Sequence, residues 1–242
     1  MNKTSVGKMS DTRSIVQTLL TERPMFHGRE AAGSADYSIM GNILNWIAEH
    51  APENGASLET GCGYSTIVLA MKSKSHTVIS PFPQEHKLIQ QWCAEKGIDL
   101  SHVNFIPQIS QDVIYKLGDS PLDLVLIDGD HAFPAPFIDW YYTADRVKKG
   151  GFVLVDDTQL ITGKILKDFL IAEKSRWDLF TDMGKTAIFK RNTDEPVANG
   201  IPWIHQPYCM DYKPEAKKKP APKAPQNPIR SLAGKVYRKL FS

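Results

Sequence analysis

LETGCGYS, residues 58–65, is the stretch from which the fold of this 242-residue chain is read. An apolar run closing on Glu59 enters a turn built on Gly61 and Gly63, and helix-forming residues come next. Glycine has no Cβ and tolerates φ > 0, so such a turn lets bare backbone approach a nucleotide-like ligand. Glu59 stands where a sugar hydroxyl or a cationic group would be met. Thr66 occupies the place of the third glycine in G-x-G-x-x-G, which weakens a dinucleotide reading. A glycine turn this short also serves as a plain tight βα connection, so its meaning depends on the residues at fixed distances downstream.

Outward from the turn the chain alternates. Strands are expected over 56–60, 76–80, 102–107, 122–128 and 151–156, with helices over about 64–73, 83–97, 110–117 and 135–148. Short, buried-looking runs such as LDLVLID and GGFVLVDD suit parallel strands covered on both faces. ITGKILKDFLIAEK reads as a further helix, and RWDLFTD and KTAIFKR as two strands joined around Met183-Gly184. Two helices precede the turn, at about 11–23 and 34–50, the second carrying an apolar stripe of Ile39, Ile43, Leu44, Trp46 and Ile47.

Composition sets the boundaries. Charged residues make up 23% and hydrophobic residues 42%, the proportions of a soluble globular domain. No apolar run approaches the ~18 residues of a membrane span, and the start, MNKTSVGKMSDTR, lacks the apolar core of a secretory signal. Cys62, Cys93 and Cys209 are scattered, which fits a reducing cytoplasm better than a disulfide framework or a zinc site. The formal net charge of +2 conceals an asymmetry: residues 213–242 carry nine Lys/Arg against one Glu, so the body is mildly acidic and the tail strongly basic. The expected organisation is a disordered 1–10, a domain over 11–212, a Lys/Pro/Ala linker over 213–228 and a basic amphipathic helix over 229–242. Within the domain, helices occupy 11–51, the alternating core 56–191 and an aromatic-rich loop 195–212.

Ligands of open α/β sheets bind beyond the carboxyl ends of the strands. There the first strand delivers Glu59 and the turn Gly61-Cys62-Gly63-Tyr64-Ser65, the second Ser80, and the third Ser110 and Gln111. The fourth delivers Asp128-Gly129-Asp130-His131, and the fifth Asp156-Asp157. Asp128 and Asp156 end strands that would be neighbours, and three crowded carboxylates repel unless neutralised. A hard divalent cation such as Mg²⁺, held by Asp128, Asp156 and Asp157, would do this. Helix capping by Asp130 and Asp157, or a hydrogen bond from Asp128 to a cofactor, would account for the same acids. His131 is placed to accept a hydroxyl proton near neutral pH, or simply to face solvent at a helix start.

LETGCGYS, ISQDVIYKL, LDLVLIDGDH and GGFVLVDD together resemble the class I S-adenosylmethionine-dependent methyltransferases. The branch most similar includes catechol and caffeoyl-CoA O-methyltransferases and bacterial sugar O-methyltransferases. The resemblance implies a Rossmann-like α/β fold: a seven-stranded, mostly parallel sheet with a C-terminal antiparallel hairpin and helices on both faces. It implies S-adenosylmethionine at Glu59, Gly61, Cys62, Gly63, Tyr64, Ser65, Ser80, Ser110, Gln111 and Asp128, with adenine at Ser110 and Gln111. It also implies Mg²⁺ or another divalent cation on Asp128, Asp156 and Asp157; the 28-residue separation of Asp128 and Asp156 is the family's own spacing. His131, three residues past Asp128, stands where those enzymes keep a lysine base. One departure is plain. The family closes its second strand on an acid that binds both ribose hydroxyls; this chain has Ser80 there, with Glu85 several residues on as a residue that could compensate.

The expected reaction is metal-assisted methyl transfer to a hydroxyl of a glycan, a glycosylated metabolite or a catechol-like small molecule, with His131 and Asp128 as catalytic residues. Trp140, Tyr141, Tyr142, Trp203, His205 and Tyr208 are candidates to stack on such a substrate, or core aromatics. A non-catalytic S-adenosylmethionine-binding protein and a nicotinamide-dependent oxidoreductase are the rival readings. No nucleic-acid partner is expected from the acidic body, whereas residues 229–242 would suit an anionic membrane surface at the inner face.

Overall fold

Alternation of side chains along the central strands decides how this molecule is layered. In β4 (Leu122–Ile127) and β5 (Val147–Val155), Leu124, Leu126, Phe152 and Leu154 join one buried cluster, while Val125, Ile127, Val153 and Val155 join the other. Both faces of the sheet are therefore sealed, as unbroken apolar runs require. The structure is a computed structural model, and it describes residues 11–27 and 39–211. The expected disordered N-terminus, the linker over 213–228 and the basic segment 229–242 lie outside the described residues.

The remaining strands are β1 (Gly55–Thr60), β2 (Ser73–Ile79), β3 (Val103–Ile106), β6 (Trp177–Asp182) and β7 (Ala187–Arg191). They form one seven-stranded sheet in the order β3-β2-β1-β4-β5-β7-β6. β1 to β5 pair in parallel, and β7 lies antiparallel between β5 and β6. Helices α1 (Thr12–Glu22), α2 (Gly41–His50), α3 (Tyr64–Lys72) and α4 (Pro83–Glu95) supply Leu19, Ile43, Ile47, Ile67 and Ile89 to the first cluster. The short α5 (Ser110–Val113), α6 (Ala135–Ala144) and α7 (Ile161–Ala172) supply Val113, Trp140, Leu166 and Leu170 to the second. This is the doubly covered, mostly parallel sheet with a terminal antiparallel hairpin expected from the sequence. Among the described residues no helix is long and apolar enough to cross a membrane.

Three helices differ from expectation, and β2 begins earlier than expected, at Ser73. α2 begins at Gly41, after an extended Met40, with residues 34–38 outside the described residues. The helix expected over 110–117 is a single α turn followed by a 3₁₀ turn, Ile114–Lys116. The helix expected over 135–148 stops at Ala144, and β5 begins at Val147. There the buried Arg191 guanidinium donates to the carbonyls of Ala144, Asp145 and Val147, drawing them out of a helical ladder. Asp145 then accepts backbone N–H groups of Val197, Ala198 and Asn199, tying residues 197–199 to the same corner. In the loop beyond, α8 (Pro207–Asp211) brings Tyr208 edge-on to Phe169 at 5.4 Å.

Candidate functional site

The connections leaving β1 to β5 open onto one cavity of about 790 Å³ at the carboxyl edge of the sheet. Gly61, Cys62, Ser80, Ser110, Gln111, Asp128, His131, Asp156 and Asp157 all line it, as the sequence leads one to expect. Gly61 has to be glycine here. Its φ is +89°, and a Cβ would sit 2.2 Å from the carbonyl oxygen of Asp128. The turn after β1 is thus pressed against the end of β4, and Cys62 and Asp128 both line the cavity.

Glu59, Gly63, Tyr64 and Ser65 do not line the cavity. Glu59 is buried behind the turn, where it accepts hydrogen bonds from Ser65 Oγ at 2.7 Å and from Thr66 Oγ1, with His76 Nε2 at 3.2 Å. The acid expected to face a ligand therefore organises the turn from beneath, since a buried carboxylate needs this many partners. Gly63 donates its N–H to Thr66 Oγ1 at 3.0 Å and starts α3. Tyr64 points the other way: its hydroxyl donates to the carbonyl of Pro24 at 3.1 Å, and its ring meets Phe26 edge-on at 5.7 Å.

Asp128, Asp156 and Asp157 come together at one corner of the cavity, with His131 among them. Asp156 accepts a hydrogen bond from Thr186 Oγ1, on the residue before β7. Asp157, in the left-handed region at φ 50°, lies with Oδ2 2.9 Å from His131 Nε2. Asp128, His131 and Asp157 place one potential ligand atom each within 4.8 Å of one another. Burial, with the charges of Asp156 and Asp157 beside it, raises Asp128 well above the usual carboxylate range, and it shares a hydrogen bond with Asp156. Burial also raises Asp156, against the pull of Thr186. The His131 hydrogen bond lowers Asp157, and the same bond raises the imidazole. The corner thus relieves its repulsion through the hydrogen bond between Asp128 and Asp156 and the pairing of His131 with Asp157. Two carboxylates and an imidazole at this separation also fit a divalent cation.

Sequence reasoning missed several lining residues. His27 arrives from the segment after α1, and Lys185 from the turn of the β6–β7 hairpin; neither has a local signature. Glu85, at the first turn of α4, was the residue the sequence offered to compensate for Ser80, and it lines the same cavity. Gln159 and Leu160 come just after the acidic pair, and Gln159 donates to Asp157. The aromatic candidates are elsewhere: Trp140 is core, edge-on to Phe169 at 4.9 Å, Tyr141 and Tyr142 pack with Tyr115 on the outer surface, and Trp203 is exposed.

Comparison with known proteins converges on the same architecture. Residues 58–158 match the family described as "Methyltransferase domain". The Mycobacterium tuberculosis protein described as "Probable O-methyltransferase Rv1220c" is 30% identical over 112 residues, covering 45% of this chain and 49% of its own. The chain thus spans about half the length of the curated relatives it matches. The S-adenosylhomocysteine-bound methyltransferase PaMTH1 of Podospora anserina superposes with a TM-score of 0.53 at 15% identity, over 79% of this chain and 100% of its own. A Staphylococcus aureus structure named "putative caffeoyl-CoA O-methyltransferase" does so with a TM-score of 0.51 at 15% identity, over 76% and 93%. The resemblance to class I methyltransferases is borne out in domain and in fold.

Proposed function

We propose that this chain is an S-adenosylmethionine-dependent O-methyltransferase acting on a hydroxyl of a small molecule or glycan at the carboxyl edge of its sheet. The observation that carries this reading is the convergence of the Gly61-Cys62 turn, Ser80, Ser110-Gln111 and Asp128 on one cavity, inside a region that matches a methyltransferase domain. In this reading the nucleoside spans the ends of β1, β2 and β3, with adenine at Ser110 and Gln111 and the methionine part at the glycine turn. That orients the sulfonium methyl toward Asp128, His131 and Asp157. The oxygen selectivity is taken from the name of the mycobacterial relative.

The chemistry asked of the protein is positioning and charge, because the methyl group transfers in line from sulfur to oxygen. His131 serves as proton acceptor: Nε2 is held by Asp157 at 2.9 Å, leaving Nδ1 for the hydroxyl proton, and Asp157 stabilises the imidazolium that results. Asp128 and Asp157 would hold a divalent cation, with Asp156 backing Asp128. Such an ion, when bound, lowers the pKa of a substrate hydroxyl. Asp157→Asn is expected to abolish metal-stimulated methyl transfer while S-adenosylhomocysteine still binds. Transfer undiminished in that variant, and in excess chelator, would contradict the metal-assisted reading. The rival oxidoreductase reading finds no support in the missing third glycine. Residence at the inner face of a membrane through residues 229–242 stays part of this proposal, on their basic, apolar-striped sequence alone.

A further inference from the structure

The strand that would meet the ribose ends without an acid. Ser80 comes directly after β2, is 2% exposed, and spends its backbone N–H on the carbonyl of Ile106 at 3.2 Å. A single hydroxyl makes only a neutral hydrogen bond, roughly half as strong as a charge-assisted one. Yet β2 lies between β3 and β1, so its exit separates Ser110-Gln111 from the Gly61-Cys62 turn. Any nucleoside stretched between those two places passes over it.

A carboxylate does reach this point, from the next element. Ser80-Pro81-Phe82-Pro83 is a tight bend, Pro83 opens α4, and the Glu85 N–H bonds back to the carbonyl of Phe82 at 3.0 Å. Glu85 is thereby folded under the end of β2 and lines the cavity with its side chain 9% exposed. Oε2 receives the Cys62 thiol at 3.4 Å, which ties it to the glycine turn, and lies 3.3 Å from His27 Nδ1. A carboxylate on the wall of a ligand cavity can accept the O–H donors of a ligand that enters it.

Resting on the S-adenosylmethionine reading above, we infer that Glu85 binds the ribose hydroxyls of the cofactor, supplying from helix α4 the charge that Ser80 lacks. The ribose diol offers two O–H donors to one carboxylate, and the Cys62 contact positions that carboxylate against the turn holding the methionine end. His27 joins the same subsite from the N-terminal segment, so the subsite is assembled from three distant parts of the chain.

The test is calorimetric titration with S-adenosylhomocysteine and with its 2′-deoxyribose analogue. It uses the wild-type chain, Glu85→Gln, Glu85→Asp and the double variant Glu85→Gln/Ser80→Asp. The wild type is expected to prefer the ribose compound at least tenfold. Glu85→Gln should lose ten- to a hundredfold in affinity for it and lose the preference, while Ser80→Asp in that background restores both. Glu85→Asp, which keeps the charge on a shorter arm, should fall between and covers the case in which the glutamine variant does not fold. Equal weakening of both ligands in Glu85→Gln, or an unchanged preference, would overturn the inference and leave the methyltransferase reading standing. Absence of S-adenosylhomocysteine binding to the wild type would overturn both.

Discussion

Two carboxylates of this domain show how burial decides the work of a residue. Glu59 has its charge absorbed by Ser65, Thr66 and His76, and it shapes a turn. Asp139, on α6, is 1% exposed and has no such set: the hydroxyls of Ser110 and Thr60 face it without completing well-formed hydrogen bonds. Burial pushes it up to about 6 from an ordinary 3.8. A carboxyl raised in the folded state favours folding fully below its unfolded pKa, and that contribution is lost as pH climbs through the folded value. Asp139 is therefore a liability at pH 7.5, worth about 3 kcal/mol by that difference. Asp139→Asn should raise stability in urea unfolding at pH 7.5 and have much less effect at pH 4.5. A gain of equal size at both values would show that titration is not the cause. The sequence gives no hint of this acid, because its neighbours Ser110 and Thr60 come from other elements.

At the scale of elements, the carboxyl edge carries the ligand space and the opposite edge carries the anchoring. Arg191 ends β7, which runs antiparallel to β5, so its guanidinium sits at the start of β5. It donates to the carbonyls of Ala144, Asp145, Val147, Thr193 and Glu195, joining α6, β5 and the segment after β7. Arg191→Ala leaves several buried carbonyls without donors, and a loss of about 3 kcal/mol in stability is expected. Affinity for S-adenosylhomocysteine should stay within about twofold, since the contact is at the far edge. The positions of the strands were legible from apolar runs bounded by glycine turns, because buried parallel strands leave that mark in a sequence. The stop at Ala144 was not, because it depends on an arginine nearly fifty residues downstream.

For the molecule as a whole, the parts of the site carried by strand ends were the legible ones. Gly61, Cys62, Ser80, Ser110, Gln111, Asp128, His131, Asp156 and Asp157 reach one cavity because parallel strands deliver their ends to one edge. His27 and Lys185 come from a segment and a hairpin turn that alternation does not locate. Tyr64 and Ser65 do not line the cavity for a related reason: a motif fixes the backbone path of the turn, while packing against Phe26 and Glu59 decides where each side chain points. The central claim is that this cavity takes S-adenosylmethionine. Isothermal titration of the full chain with S-adenosylhomocysteine, set beside NADH under the same conditions, tests it most directly. One molecule of S-adenosylhomocysteine bound per chain, with no heat from NADH, is the expected result; binding of NADH, or of neither compound, would contradict the account.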